Sequence, residues 1–244
     1  MAGRVATSFT GKTATRWDKA DGAGPVTEAD LAVNQYLNTT LRMARPDYGW
    51  LSEETDDDEK RLRHERIFIV DPIDGTRSFV EGARTWAIAI AVAEAGKITA
   101  GAVYLPLRDK LFSAALGKGA CLNGLPLQVS KASSEEGARV LAARPNFDAS
   151  HWPGGVPNVD RHYRPSLAYR LSLVGSGAFD AMVTLRDSWE WDIAAGSLIV
   201  TEAGGHITDR QGLPLRFNNA HPTLDGIVAG SAPLHAIFLD KLRG

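Results

Sequence analysis

Two carboxylates, Asp71 and Asp74, stand three residues apart in Asp71-Pro72-Ile73-Asp74-Gly75-Thr76, directly after the apolar run Ile67-Phe68-Ile69-Val70. Pro72 holds its entry extended and fixes its own φ. Gly75 allows a tight turn, which can aim both carboxylates at one point and leave the Gly75 and Thr76 N–H groups facing outward. Carboxylates beside a backbone carbonyl suit a hard divalent cation such as Mg²⁺, and free N–H groups next to it suit a phosphate. The same hexapeptide also reads as an ordinary Asp-Pro/Asp-Gly turn. Three more acids invite the same double reading. Glu53, in Ser52-Glu53-Glu54, opens a charged stretch and alone reads as half of a solvated pair. Asp192, in Trp191-Asp192-Ile193-Ala194-Ala195-Gly196, reads as a helix N-cap worth ~1 kcal/mol, while the small residues after it imply a close neighbour. Asp30 reads as an acid complementing a helix dipole.

The elements that must position these residues are visible in outline. Thr27-Glu28-Ala29-Asp30 caps a helix over 27–44, with Val33, Tyr36, Leu37 and Leu41 at helical spacing. Residues 55–65 read as a charged surface loop or helix. Ile67–Val70 reads as a buried strand ending at Asp71, and Trp86–Ala93, Ile98–Tyr104 and Leu111–Ala115 as an antiparallel meander. After a polar loop at 144–165 come a helix from Ser166 to Gly175, a strand at Ala181–Leu185, a helix from Asp192 to Ala203 closed by Gly204-Gly205, two short strands and a terminal helix at Leu234–Leu242. The expected architecture is an α+β half, 1–137, carrying most of the acids, and an α/β half, 138–244, carrying Asp192, in one compact unit of helix and sheet layers.

Composition excludes several classes. With 44% hydrophobic and 23% charged residues the chain is globular rather than disordered. Its 27 basic and 29 acidic residues leave a formal charge of −2, too balanced for a protein held to nucleic acid mainly through phosphates. One cysteine, Cys121, permits no internal disulfide. The longest apolar run, Trp86–Ala93, is far short of the ~20 residues of a membrane span, and the first residues lack the apolar core of a signal peptide, so a cytoplasmic protein is expected.

Taken together and in this order, the acid-bearing segments resemble the inositol monophosphatase superfamily of Mg²⁺-dependent, lithium-sensitive phosphomonoesterases. Its two signatures appear as Asp71-Pro72-Ile73-Asp74-Gly75-Thr76 and Trp191-Asp192-Ile193-Ala194-Ala195-Gly196, with Ser52-Glu53-Glu54 and Thr27-Glu28-Ala29-Asp30 upstream. The resemblance covers nearly the whole chain and implies the family's sugar-phosphatase fold of alternating helix and sheet layers. It implies that Glu53, Asp71 and the Ile73 carbonyl hold one Mg²⁺, and Asp71, Asp74 and Asp192 a second. A third, weaker cation would sit near Glu53, and Mn²⁺ could substitute. Asp30 and Thr76 would orient and deprotonate the attacking water, and the Gly75 and Thr76 amides would bind the phosphate. Lys19 falls at the position of a family lysine near that water. The residues before Lys19 resemble the tail of a longer family helix, so the start is expected to be shortened.

The resemblance extends to four kinds of ester: inositol monophosphates, fructose 1,6-bisphosphate, histidinol phosphate and nucleoside 3'(2'),5'-bisphosphates. Lys19-Ala20-Asp21-Gly22 running into Pro25–Asp30, with Leu51-Ser52-Glu53-Glu54, looks more like the bacterial nucleotidase branch, acting on 3'-phosphoadenosine 5'-phosphate. Seven residues before Asp192, where inositol phosphatases place a glutamate, stands Leu185; Asp187 or Glu190 could substitute. Ser166 could reach a ligand oxygen, Asp192 would also face the substrate, and Arg170 is a weaker substrate candidate. In the loop with His151, Trp152, Arg161, His162, Tyr163 and Arg164, aromatics could stack on a purine and an arginine pair with a second phosphate. The expected partner is a small phosphorylated metabolite, with no membrane or nucleic acid, and the chain is a monomer or a homodimer. Some relatives assist transcription complexes, but a purely binding accessory protein has no need of the acid set. A two-metal nuclease would need a basic groove that the net charge does not support.

Overall fold

The computed structural model describes residues 1–9, 13–18 and 24–244. Helix α1 (Ala2–Ser8) is followed by an antiparallel strand pair, β1 (Arg16–Asp18) and β2 (Pro25–Thr27), which leads into α2 (Glu28–Ala44). Seven strands then lie side by side in chain order: β3 (Gly49–Ser52), β4 (Arg66–Asp74), β5 (Ala87–Glu94), β6 (Lys97–Leu105), β7 (Lys110–Ala115), β8 (Ala120–Leu122) and β9 (Leu125–Pro126). Within this sheet the β3–β4 pair is parallel and the others are antiparallel. The helix of one turn after β4 is α3 (Thr76–Val80).

The rest of the chain builds a five-stranded sheet. Its strands are β10 (Arg139–Leu141), β11 (Asp160–His162), β12 (Ala181–Thr184), β14 (His206–Thr208) and β16 (Ile227–Gly230), in the order β11-β10-β12-β16-β14. Between them run α4 (Leu167–Gly175), the short strand β13 (Ser188–Trp189), α5 (Glu190–Glu202) and β15 (Thr223–Leu224), which pairs with β13; α6 (Ala232–Arg243) ends the chain.

Packing sorts these elements into five alternating layers. Helices α1 and α2 cover one face of the seven-stranded sheet, α4 and α5 lie between the two sheets, and α6 covers the far face of the smaller sheet. Three apolar clusters fill the junctions, anchored by Val33 and Phe68 under α2, by Leu171 and Ile199 on both sides of the central helices, and by Trp152 and Phe238 under α6. The expected layered fold is therefore the observed one.

Three local expectations change. The strand expected to end at Val70 continues through Asp74, and its pairing with β5 shifts between Asp71 and Asp74. The 190–202 helix starts two residues before Asp192, so Asp192 sits in the first turn and Trp189 occupies the cap position, with no side-chain cap. In the charged stretch, Glu59–Arg63 forms a 3₁₀ turn whose Arg61 is buried rather than solvated. Its guanidinium pairs with Asp57 and donates to Asn218 and to the Asn219 carbonyl, fastening 57–61 to 218–219.

Candidate active site

The shift in β4 is what makes one site of Asp71 and Asp74. Side chains of a strand alternate between faces, so residues three apart normally point opposite ways. Here Asp71 pairs with Ala89 and Asp74 with Ala87, which sets three steps on β4 against two on β5, a β-bulge. The packing records the extra residue. Phe68 and Val70 lie under α2, as alternation requires, and so does Ile73, three positions on, instead of at residue 72. Asp74 is thereby brought round to the side facing α4. Gly75 follows at φ 96°, a left-handed conformation that costs glycine little, and turns the chain into α3.

Other elements deliver the remaining groups. The capping box at Thr27 uses one oxygen of buried Asp30, whose Oδ2 accepts from the Thr27 N–H at 2.8 Å and the Thr27 hydroxyl at 2.5 Å. Its Oδ1 lies 3.1 Å from the Thr76 hydroxyl, which is also 3.1 Å from the Ile73 carbonyl. On the other side, Asp74 Oδ2 accepts from the Ser166 hydroxyl and the Ala168 N–H, each at 2.7 Å. Helix α5 brings Asp192 close because its first turns are built of small residues: a Cβ on Gly196 would lie 2.6 Å from Leu171 Cβ of α4.

One carboxylate oxygen from each of Asp71, Asp74 and Asp192 lies within 4.8 Å of the others. Glu53, on the turn after β3, lines the same cavity of about 560 Å³ but is not part of that triad. Asp71 is 1% exposed, and neither of its oxygens meets a hydrogen-bond donor among the described residues. A buried ionised carboxylate with no donor is costly unless a cation neutralises it. Burial, reinforced by the charge of Glu53 and then of the other acids, pushes the Asp71 carboxyl well above the ordinary carboxylate value. Burial of the Asp192 carboxyl, with Asp74 and Glu53 nearby, does the same there, with Arg186 opposing. Burial raises Asp74 to about 6 against the two hydrogen bonds that hold it ionised, and raises Asp30 as well. Several acids held together, one with both oxygens bare, fit a hard divalent cation bound by oxygen.

A model of the inositol monophosphatase family matches residues 1–242. The chain belongs to the inositol monophosphatase family. An inositol-1-monophosphatase of Rhizobium meliloti is 34% identical over 77% of this chain and 73% of its own length. A 3'-phosphoadenosine 5'-phosphate phosphatase of Mycobacterium leprae is 34% identical over 88% and 80%. An IMPase structure from Thermotoga maritima superposes with a TM-score of 0.84 at 28% identity, covering 99% of this chain and 92% of the other. Membership makes the chain a metal-dependent phosphomonoesterase, and Mg²⁺ is the family's usual cation.

The inositol monophosphatase site gathers most of the residues singled out in the sequence. Glu53, Asp71, Asp74, Gly75, Thr76, Ser166, Arg170 and Asp192 all line the one cavity, and Asp30 stands directly behind Thr76. Ser166 is engaged: at φ 66° it caps α4, accepting from the Tyr169 N–H, while its hydroxyl goes to Asp74. Glu190 differs from expectation. It is fully buried, and its oxygens accept from the Asn218 and Asn219 N–H groups and the Asn219 side-chain amide, so it holds a loop and does not face a substrate. Lys19 lies outside the described residues. Among the residues not singled out from the sequence, Arg77, Ser78, Arg186 and Trp189 also line the cavity. Trp189 stacks on Trp191 at 4.7 Å and an interplanar angle of 7°. The Trp-x-Trp pairing just before Asp192 is the only local signal for Trp189, and Arg186 has none.

Proposed function

We propose that this member hydrolyses a nucleoside 3'(2'),5'-bisphosphate, 3'-phosphoadenosine 5'-phosphate, to the monophosphate and inorganic phosphate. The observation that carries the hydrolytic part is Asp71: a buried carboxylate with no donor, inside an acid triad, beside the Asp30–Thr76 pair. When bound, two or three divalent cations supply Lewis-acid activation of water and neutralise the phosphoryl charge, with Mn²⁺ able to replace Mg²⁺. Asp71, Asp74 and Asp192, with Glu53 and the Ile73 carbonyl, hold them. Asp30, whose carboxyl burial already makes more basic, takes a proton relayed by the Thr76 hydroxyl 3.1 Å away. Gly75 and Thr76 offer backbone N–H groups to the phosphate at the start of α3. No side chain needs to form a covalent intermediate, since phosphoryl transfer asks mainly for positioning and charge neutralisation.

The choice of ester rests on what surrounds the acids. Leu185 is apolar and buried, Asp187 does not line the cavity, and Glu190 is occupied by its own loop, so none of the three gives an acid acceptor for the hydroxyls of a cyclitol. The cavity is lined instead by Trp189, stacked on Trp191, and by Tyr163, Arg170 and Arg186. An aromatic platform with cations suits a base and a second phosphate.

The test is phosphate release with Mg²⁺ from 3'-phosphoadenosine 5'-phosphate and inositol 1-phosphate at equal low concentration. A large preference for the nucleotide is expected. A preference for inositol phosphate, or for histidinol phosphate or fructose 1,6-bisphosphate in the same assay, overturns the substrate assignment while leaving the phosphatase. Release unaffected by chelation of the metal overturns the hydrolytic assignment.

A further inference from the structure

Beside the acid-lined cavity lies a second one of about 320 Å³, and the two share a wall made of Tyr163, Arg170 and Arg186. Their chemistry differs. Four carboxylates line the first, and none lines the second, which adds His151 and the amide of Asn146. That amide is already committed to the backbone, since its Oδ1 accepts from the Leu185 N–H at 2.9 Å.

The two arginines on the shared wall lack the partners that buried or crowded cations usually have. Arg170 is 7% exposed, yet no carboxylate lies within ion-pair distance among the described residues. Its Nε donates to the Arg164 carbonyl and its guanidinium stacks over Tyr163 at 4.6 Å, so it is held in place by neutral groups. Arg186 is exposed, forms no ion pair among the described residues although Asp192 feels its charge, and is close enough to Arg170 that the two positive charges oppose each other. Asp74 attracts Arg170 from across the site, but that carboxylate is hydrogen-bonded to Ser166 and Ala168. Two guanidinium groups on one wall, one of them held by neutral groups, facing a cavity that no carboxylate lines, complement a dianion with two or more acceptor oxygens.

We infer that this side cavity is the subsite for a second anionic group of the substrate, held between Arg170 and Arg186. The inference rests on reading the acid site as a phosphomonoesterase centre, and it deepens that reading. The scissile phosphate meets the acids, while a non-scissile phosphate on the same small molecule sits on the acid-free side of the wall. Monophosphates of neutral polyols would leave the second place unfilled.

The test uses Arg186→Gln, a surface change that spares the core, with Arg186→Lys as the conservative variant and Arg77→Gln, an exposed arginine elsewhere on the cavity rim, as control. Turnover is compared for adenosine 3',5'-bisphosphate and adenosine 3'-monophosphate with Mg²⁺. The wild type should prefer the bisphosphate. Arg186→Gln should cut the ratio of the two kcat/KM values by about 10- to 100-fold, mostly through KM, with Arg186→Lys recovering part of it and Arg77→Gln leaving it within about threefold. Binding is read separately by calorimetry in an Asp71→Asn background, where Arg186→Gln should weaken the bisphosphate at least about tenfold more than the monophosphate. An unchanged ratio, or a loss carried by Arg77, overturns the subsite. Failure of the phosphomonoesterase reading looks different: no Mg²⁺-dependent release from either ester, with the calorimetric difference still deciding the subsite.

Discussion

Stripping the metal should make this protein less stable as the pH rises from 5 to 8, the reverse of the usual acid denaturation. The Asp74 carboxyl goes from 3.8 in the unfolded chain to about 6 in the fold, and Asp71 and Asp192 are pushed well above the ordinary value. A carboxyl raised in the folded state stabilises the fold while both states hold the proton. That contribution is present in full below about pH 4 and is lost as the pH climbs through the folded-state value. For Asp74 the loss is about 3 kcal/mol, complete by pH 7. Roughly half of that, about 1.4 kcal/mol, falls between pH 5 and 8, which in a domain of this length corresponds to roughly 3–6 °C in Tm, and Asp71 and Asp192 extend the decline above pH 6. The assay is thermal unfolding of chelator-treated protein between pH 5 and 8, repeated with saturating Mg²⁺. The metal-free Tm should fall across this range, the gain from Mg²⁺ should grow with pH, and metal-free Asp71→Asn should melt above metal-free wild type at pH 8. A metal-free Tm that is flat or rises from pH 5 to 8, with a Mg²⁺ gain independent of pH, would refute the argument that these acids are held together against their own repulsion.

Other perturbations probe the supports. Asp30→Asn should lower kcat about 100-fold or more through loss of the proton acceptor, with the acid limb of the pH–rate profile displaced, while the Thr27 cap survives through the amide oxygen. In Glu190→Gln one oxygen must be replaced by an amide that faces N–H donors, so stability should drop by about 1–3 kcal/mol in a melt, with KM for the ester little changed; a selective rise in KM would return Glu190 to the substrate. Gly196→Ala drives a methyl into Leu171 and should cost about 1–3 kcal/mol while weakening Mg²⁺ activation, because Asp192 moves with α5. A variant as active and as stable as wild type would show that α4 and α5 have room to spare.

Much of the site was legible because its acids sit in short segments whose local rules are strong. Thr27 reads as an N-cap from sequence alone, and in the structure it caps α2, with Asp30 closing a capping box. The Ala-Ala-Gly run after Asp192 announced a close helix contact, and Leu171 is the contact. What stayed hidden depended on partners far along the chain. The convergence of Asp71 and Asp74 is expected from a turn at Gly75, but the bulge that produces it exists only relative to β5 and has no signal within 71–74. Glu190 looked available because its acceptors' donors, on Asn218 and Asn219, come nearly thirty residues later. Arg61 sits in a stretch whose composition spells solvent, yet Asn218 and Asn219 bury it. Arg170 and Arg186 become neighbours only when α4 and the segment after β12 are laid against the same cavity.

The bonds from Ser166 and Ala168 to Asp74 bear on how such a chain can diversify. Most of the acids are encoded before residue 77, whereas Tyr163, Arg170, Arg186 and Trp189 are all encoded after residue 143. A recombination crossover in the 127–138 connection would exchange the residues that face the leaving group while inheriting nearly all of the hydrolytic set. The incoming half must bring a carboxylate at 192 to complete the triad, and a hydroxyl at 166 and a free backbone N–H at 168, which dock on Asp74. A proline at 168 would therefore be a barrier to such exchange, and the identity of residue 186 would travel freely.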